Sequence, residues 1–219
     1  MGKEFQKRLI SSIILIPTTF FFIIKGSFLF SFFILICFFI TSYEWYKMTK
    51  KKLYYLPGLL FLILSFYCAY DIRINVADGD YAYFIVILLI CISTDTGGYI
   101  FGKIFKGPKL TSISPKKTFS GLIGGYLSSI IILSIYFNSI FNTFNQVEIT
   151  YKIFIFILMI SSISQSGDIF ISYFKRLSKI KDTGKIIPGH GGLLDRIDGM
   201  IFAFPFSYII LKTNILQYF

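Results

Sequence analysis

Seven apolar runs occupy most of this 219-residue chain: Leu9–Ile24, Phe28–Tyr43, Leu53–Tyr70, Tyr81–Phe101, Phe119–Phe141, Ile153–Phe174 and Ile197–Leu211. A bilayer takes roughly 20 residues of helix to cross, at about 1.5 Å per residue. The runs approach or reach that length, and no polar stretch between them could form a soluble domain able to bury them. They predict an all-α fold, a polytopic integral membrane helical bundle of about seven transmembrane helices. Only 15% of the residues are charged, against about 25% in a typical soluble domain. An aromatic content of 20% excludes a disordered chain, which would be poor in such residues. Cys37, Cys68 and Cys91 all fall inside runs and lack metal-ligand spacing. They read as buried inert thiols, not as a disulfide framework. The first run follows Lys3, Lys7 and Arg8 as a signal peptide would, but no small-residue cleavage site comes after it. It reads as a retained helix.

The net charge is +11, a value that in a soluble protein would suggest nucleic acid as partner. With seven spans and a cytoplasmic N-terminus, however, 18 of the 22 basic residues fall on the inner side. Only Lys25, Arg73, Lys152 and Lys212 fall outside, where Asp71, Asp78, Asp80 and Glu148 also lie. Helix count and the positive-inside rule support each other. The charge is a sidedness signal, the bilayer is the partner, and no nucleic acid is expected. The predicted location is the bacterial inner (cytoplasmic) membrane.

Residues 1–90 read as N-terminal transmembrane helices that pack, face lipid or contact a second copy, with Pro17 and Pro57 able to kink them. Residues 91–219 are different and read as a catalytic transmembrane domain with motifs on the cytoplasmic face. Three polar clusters interrupt its apolar sequence. Ser93-Thr94-Asp95-Thr96-Gly97-Gly98-Tyr99 puts Asp95 at membrane depth, where an ionisable residue is costly and a functional candidate; the bland reading pairs it with a structural lysine. The stretch Lys109–Gly125 brings Ser112, Ser114, Lys116, Lys117 and Thr118 to the start of the fifth run. Such residues suit phosphate oxygens, although a lysine pair beside a membrane also serves as an anchor to anionic lipid.

The third cluster is the richest. Asp168, Ser172 and Lys175 are spaced i, i+4, i+7 and share one helical face, with Arg176 adjoining. Lys181-Asp182-Thr183-Gly184-Lys185, then Pro188-Gly189-His190-Gly191-Gly192 and Asp195-Arg196-Ile197-Asp198 follow. Asp195 and Asp198 are three apart and are expected on one face of the seventh helix. Several carboxylates at one depth repel unless a cation holds them. Mg²⁺ takes one or two carboxylates together with substrate phosphates, and the surrounding lysines and arginines suit a polyphosphate. The glycines around His190 let backbone approach a ligand. The alternative is purely structural, with Asp168 paired to Arg196 or Asp195 to Lys175, and with His190 as a hydrogen-bonded loop residue.

The run from Ser166 to Asp198, carrying K-R, K-D-x-G, P-G-H-G-G and D-R-x-D in order, closely resembles the signature of phosphatidate cytidylyltransferases, or CDP-diacylglycerol synthases. The upstream D-T-G-G-Y and S-P-K-K-T-F-x-G segments are similar to that family too, so the likeness covers about residues 93–200. It implies a membrane enzyme that joins CTP and phosphatidate into CDP-diacylglycerol and pyrophosphate for phospholipid biosynthesis. It also implies Mg²⁺ with K⁺ beside it, and a homodimer. By this resemblance Asp168 and Asp195 are the metal ligands, and Asp168, Asp195, Asp198, Lys175 and Arg176 are the catalytic set. Asp95, Lys116, Lys117, Ser172, Asp182, Lys185, His190, Gly191, Gly192 and Arg196 would bind substrate and its phosphates. Two positions depart from the pattern: Ser120 and Ile171 stand where many members carry Glu. The chain is also short for the family, which implies fewer N-terminal helices.

Two other readings compete. A CTP-dependent polyprenol or lipid kinase would transfer the γ-phosphate and release CDP. A cation or proton transporter would also carry intramembrane carboxylates, but would not need the basic, glycine-rich loops around them.

Overall fold

The computed structural model describes residues 3–76, 80–111, 113–141, 151–189 and 191–213, with backbone alone at 3–10, 12, 140 and 141. Asp78, Ser112, Glu148 and His190 lie outside the described residues. The described residues form eight helices: α1 Lys3–Lys25, α2 Ser27–Thr49, α3 Tyr55–Ile74, α4 Ala82–Phe105, α5 Phe119–Phe141, α6 Tyr151–Leu177, α7 Leu194–Ile197 and α8 Met200–Thr213. The described residues contain two isolated β-bridges and no strand. The protein is therefore an all-α polytopic membrane bundle.

Among the described residues five helices, α2 to α6, are long and apolar enough to cross a membrane. The apolar part of α1, Ile13–Lys25, and α8 are shorter. The expected seventh run begins late because it is broken. Asp198 and Gly199 separate α7 from α8, and the Asp198 carboxylate accepts the Gly199 N–H at 3.0 Å, a local bond that competes with helix continuation. Gly199 also lies tight against α6, where a Cβ would come 2.8 Å from the Ser164 carbonyl oxygen.

Contacts sort the bundle into two ends. At one end Gly26 (φ 61°) turns α1 into α2. Buried Arg73 donates from Nε to the Ile23 carbonyl at 2.7 Å, satisfying a carbonyl left open by the end of α1. Lys212 of α8 meets Asp71 of α3 at 3.4 Å at the same end. At the other end α2, α4 and α6 finish where α3, α5 and α8 begin. A second core cluster sits there, made of Trp45, Met48, Leu62, Ile171, Leu194 and Ile201. Ile171 thus fills an apolar junction of α2, α3, α6 and α7, which explains why a hydrocarbon side chain suits the position. Ser120, the other departure, donates its hydroxyl to the Lys106 carbonyl and ties the α4–α5 loop to α5.

The α4–α5 hairpin packs through glycine. Gly97, Gly98 and Gly102 of α4 face Gly121, Gly124 and Gly125 of α5, and a Cβ on Gly97 would lie 2.6 Å from the Gly124 carbonyl oxygen. Small residues allow such backbone approach between membrane helices. Gly97→Leu should separate the pair and destabilise the protein by about 1–3 kcal/mol, the usual range for overpacking. Thermal unfolding in detergent measures this, and an unchanged melting temperature would contradict the close approach. The connecting loop folds back on itself, with Leu110 N–H donating to the Lys117 carbonyl at 2.8 Å. This places Lys117 at the start of α5 facing α6.

Candidate active site

The α6 spacing does what the sequence predicts. The Ser172 hydroxyl donates to Asp168 Oδ1 at 3.3 Å, one turn apart on a common face. Asp168 Oδ2 forms an ion pair with Lys117 Nζ at 2.6 Å, and the same ammonium donates to the Gln165 carbonyl at 3.4 Å. The α4–α5 loop is therefore fastened to α6 through the first of the acidic residues.

One turn further, Lys175 lies buried between two carboxylates. Its Nζ stands 3.1 Å from Asp195 Oδ1 and 3.6 Å from Asp198 Oδ2. The second oxygen of Asp195 accepts two backbone N–H groups, from Thr183 at 2.8 Å and Gly192 at 3.0 Å. Asp195 and Asp198 lie one helical turn apart as expected, since Asp198 keeps helical backbone (φ −58°, ψ −36°) at the end of α7. The Lys175 ammonium from α6 meets both. Of the two structural pairings considered from the sequence, Asp195 with Lys175 forms. Asp168 takes Lys117.

Asp198 sits in the junction between α7 and α8, outside the apolar helices. Burial pushes its carboxyl well above the usual carboxylate range, and the neighbouring Asp168 carboxylate adds to this, while Lys175 opposes it. Asp95 of α4 is within electrostatic range of Asp168, Lys117 and Arg196. Residues from three helices, the α4–α5 loop and the α7–α8 junction thus meet at one end of the bundle: Asp95, Lys117, Asp168, Ser172, Lys175, Asp195 and Asp198.

The remaining candidates stand around this centre. Lys116 is exposed in the turn before Lys117, and Lys185 and Asp182 are exposed in the loop after α6. Arg176 donates to the Ile180 carbonyl at 3.2 Å and so closes the end of its own helix. Arg196 is exposed on α7. Gly189 (φ 78°) and Gly191 (φ 92°) adopt left-handed backbone that favours glycine. The Ile187 N–H donates to the Gly191 carbonyl at 2.9 Å, and the Gly191 N–H returns to the Ile187 carbonyl at 3.2 Å. The P-G-H-G-G motif is thereby a closed loop. Ser11 of α1 donates to its Pro188 carbonyl at 3.1 Å.

One residue of the site is absent from the sequence reading. Glu44 of α2 is 1% exposed. Its carboxylate accepts the N–H of Leu193 at 3.0 Å, the N–H of Leu194 at 2.8 Å and the Thr183 hydroxyl at 3.1 Å. The sequence does contain a signal, since an acidic side chain at the edge of an apolar run is suspect. Beside Lys47 and Lys50–Lys52 it passes for an ordinary charged helix end.

Next to these groups lies an apolar cavity of about 320 Å³. Phe20, Cys37, Ala69 and Leu88 line its depth, and Leu193 and Arg196 line it at the acidic cluster. Its size falls within the range of small-ligand pockets, about 300–1,000 Å³.

Among the described residues no three His, Cys, Asp or Glu side chains form a ready-made metal cage. Mg²⁺ does not require one, because it binds through one or two carboxylates and completes its shell with water and phosphate oxygens. Half-buried Asp168, buried Asp198, and Asp195 behind the shared lysine are hard oxygen donors of this kind. Each already faces a lysine ammonium, the positive charge that such a cluster needs. The donor set fits a Mg²⁺ that arrives with a nucleotide.

Comparison with known proteins follows the same residues. The model of the cytidylyltransferase family matches residues 6–77 and 59–214. The phosphatidate cytidylyltransferase of Rickettsia conorii is 42% identical over 164 residues, covering 72% of this chain and 70% of the relative. That of Rickettsia prowazekii is 42% identical over 176 residues, covering 76% and 74%. The Bacillus subtilis enzyme of the same name is 36% identical over 154 residues, covering 69% and 55%. With carboxylates and lysines gathered at one end of a membrane bundle, and with that span of similarity, the chain belongs to the cytidylyltransferase family.

Proposed function

We propose that this protein is a phosphatidate cytidylyltransferase, which transfers CMP from CTP to phosphatidate and releases pyrophosphate. The observation that carries the reading is the acidic and basic cluster on α4, α6 and α7 opening beside an apolar cavity with Arg196 at the junction. A polyphosphate and a lipid can meet at such a boundary. A phosphate oxygen of phosphatidate attacks the α-phosphorus of CTP, and the bond from that phosphorus to the bridging oxygen of the β-phosphate breaks. Pyrophosphate leaves with the bond's electrons. The attacking phosphate is already anionic near neutral pH, so no protein nucleophile is needed.

The task of the chain is therefore positioning and charge neutralisation. Lys117 and Lys175 stand where phosphate charge would gather, and Arg196 can hold the lipid phosphate. Arg176, Lys116 and Lys185 are exposed cations available to the pyrophosphate. Asp168, Asp195 and Asp198 would hold Mg²⁺, with K⁺ as a second cation. Mg²⁺ would supply Lewis-acid stabilisation of the charge on attacking and leaving oxygens. Asp95 and Asp182 would shape the nucleotide side. The reading includes a homodimer in the bacterial inner membrane with this end in the cytoplasm, where CTP is found and where most basic residues fall.

Radiolabelled CTP incubated with phosphatidate vesicles and purified protein, across a Mg²⁺ series, tests the reaction. Label from the α-phosphate should enter lipid while pyrophosphate is released. Release of CDP with γ-phosphate in the lipid would establish the kinase reading instead, and ion flux in liposomes without CTP turnover would establish a transporter.

The cavity adds an expectation about the lipid. Cys37→Phe fills it from α2 and should raise the apparent KM for long-chain phosphatidate about tenfold, as expected from losing burial of one or two methylenes. Dioctanoyl phosphatidate should be affected far less. Equal effects on both lipids would remove the acyl chain from this cavity.

A further inference from the structure

We propose that Glu44 is a positioning residue for the catalytic carboxylates, acting through the loop of residues 182–194, so that α2 is a working part of the site. For its kinetic arm this rests on the transferase reading above; its structural arm does not.

The hydrogen bonds define a clamp with two jaws. Successive N–H groups of Gly192, Leu193 and Leu194 go to Asp195, Glu44 and Glu44. Thr183 is held by both, its N–H by Asp195 and its hydroxyl by Glu44. One carboxylate comes from α2 and the other from α7, and between them they fix the K-D-x-G turn against the start of the D-R-x-D segment. A buried carboxylate is costly unless hydrogen bonded. Among the described residues Glu44 has no ion pair, and its three donors all belong to this loop.

The motif glycines carry an independent sign of the same contact. Gly184 and Gly192 do not have positive φ, so backbone conformation does not require glycine there. Space does. A Cβ on Gly192 would lie 2.6 Å from both Glu44 oxygens, and one on Gly184 would also meet Glu44 Oε1. These glycines are the room that Glu44 needs to reach the backbone.

The pivot itself is rigid. The neighbouring Trp45 packs edge-on against Phe174 of α6, with ring centroids 5.3 Å apart. Its Nε1 donates to the Tyr55 carbonyl of α3 at 3.0 Å. Asp195, and the Lys175 that bridges it to Asp198, therefore take their place from a helix that the sequence presents as lipid-facing packing. An amide cannot replace this carboxylate. Leu193 and Leu194 present two donors to two oxygens, and Gln would turn an NH₂ toward one of them.

The test uses the full chain in detergent, with Glu44→Gln, Thr183→Val and Thr183→Ser. Amide hydrogen exchange at Gly192–Leu194 should speed up at least about tenfold in Glu44→Gln, while amides of the α4–α5 hairpin keep their protection. In the CTP assay kcat should fall about 10- to 100-fold, the scale of a small misplacement of catalytic groups. KM for phosphatidate should stay within about twofold, since only orientation of the reacting groups is lost. Thr183→Ser, which keeps the hydroxyl, should retain more activity than Thr183→Val. The double variant Glu44→Gln/Thr183→Val should be little worse than Glu44→Gln alone, because both break one clamp. Wild-type exchange at Gly192–Leu194 in Glu44→Gln would overturn the proposal, and so would faster exchange spread equally over α4 and α5. If the wild-type chain transfers no CMP, the transferase reading fails, and the exchange measurement still decides the clamp.

Discussion

Asp195→Asn should abolish CMP transfer, with a loss in kcat of at least about 100-fold, while the chain still inserts and folds. All of the bonding capacity seen at this carboxylate goes to donors. Oδ1 accepts from Lys175 at 3.1 Å, and Oδ2 accepts from Thr183 and Gly192. An Asn must turn its NH₂ toward either the ammonium or the two backbone N–H groups, so one set of contacts becomes repulsive. The negative charge that the proposed Mg²⁺ site would use is removed in the same step. Exchange of the Thr183 and Gly192 amides reads the first consequence, and incorporation of labelled CMP into lipid reads the second. Near-normal incorporation would sink the assignment of Asp195 to the reacting centre.

Lys175→Met should be the most destabilising single change at the site, by about 3–5 kcal/mol, the usual result of breaking a buried pair by removing one partner. Met preserves much of the apolar stem, so the loss is chiefly that of the ammonium. Asp195 and Asp198, with side chains 6% and 8% exposed, would be left without their shared countercharge. Adding Asp198→Asn should restore part of the stability, because one of the two stranded charges is then gone. Thermal unfolding in matched detergent measures both variants. A melting temperature equal to that of the wild type in the single variant would show that Lys175 is not what holds α6 to the α7–α8 junction.

Much of this was legible in the linear chain because membranes impose simple rules. Apolar length gives helices, and the sorting of lysine and arginine gives a consistent direction. Residues on one helix are tied by periodicity, so Asp168, Ser172 and Lys175 appear together before any fold is known. The glycine-flanked motifs identify the polar loops. Where the reading was incomplete, the missing information was not local. Asp195 and Asp198 lie one turn apart, as three-residue spacing predicts, but spacing alone does not place a single Lys175 between them. Lys117 and Asp168 are 51 positions apart, and no periodicity connects them. Glu44 is further still from Leu194, by 150 positions.

The sequence by itself determined the class of this protein, a membrane helical bundle with an acidic, basic and glycine-rich set of loops in its second half. Hydrocarbon dictates that outcome, since long apolar helices are the way such a chain satisfies its own backbone. Only the tertiary structure decided which charges balance which: Lys117 with Asp168, and Lys175 with Asp195 and Asp198. It also decided that Glu44, on an otherwise plain second helix, supports the loop that carries Asp195. The physical reason is the same for both. Buried polar groups must find partners, and the partners nearest in space come from helices that are distant in sequence.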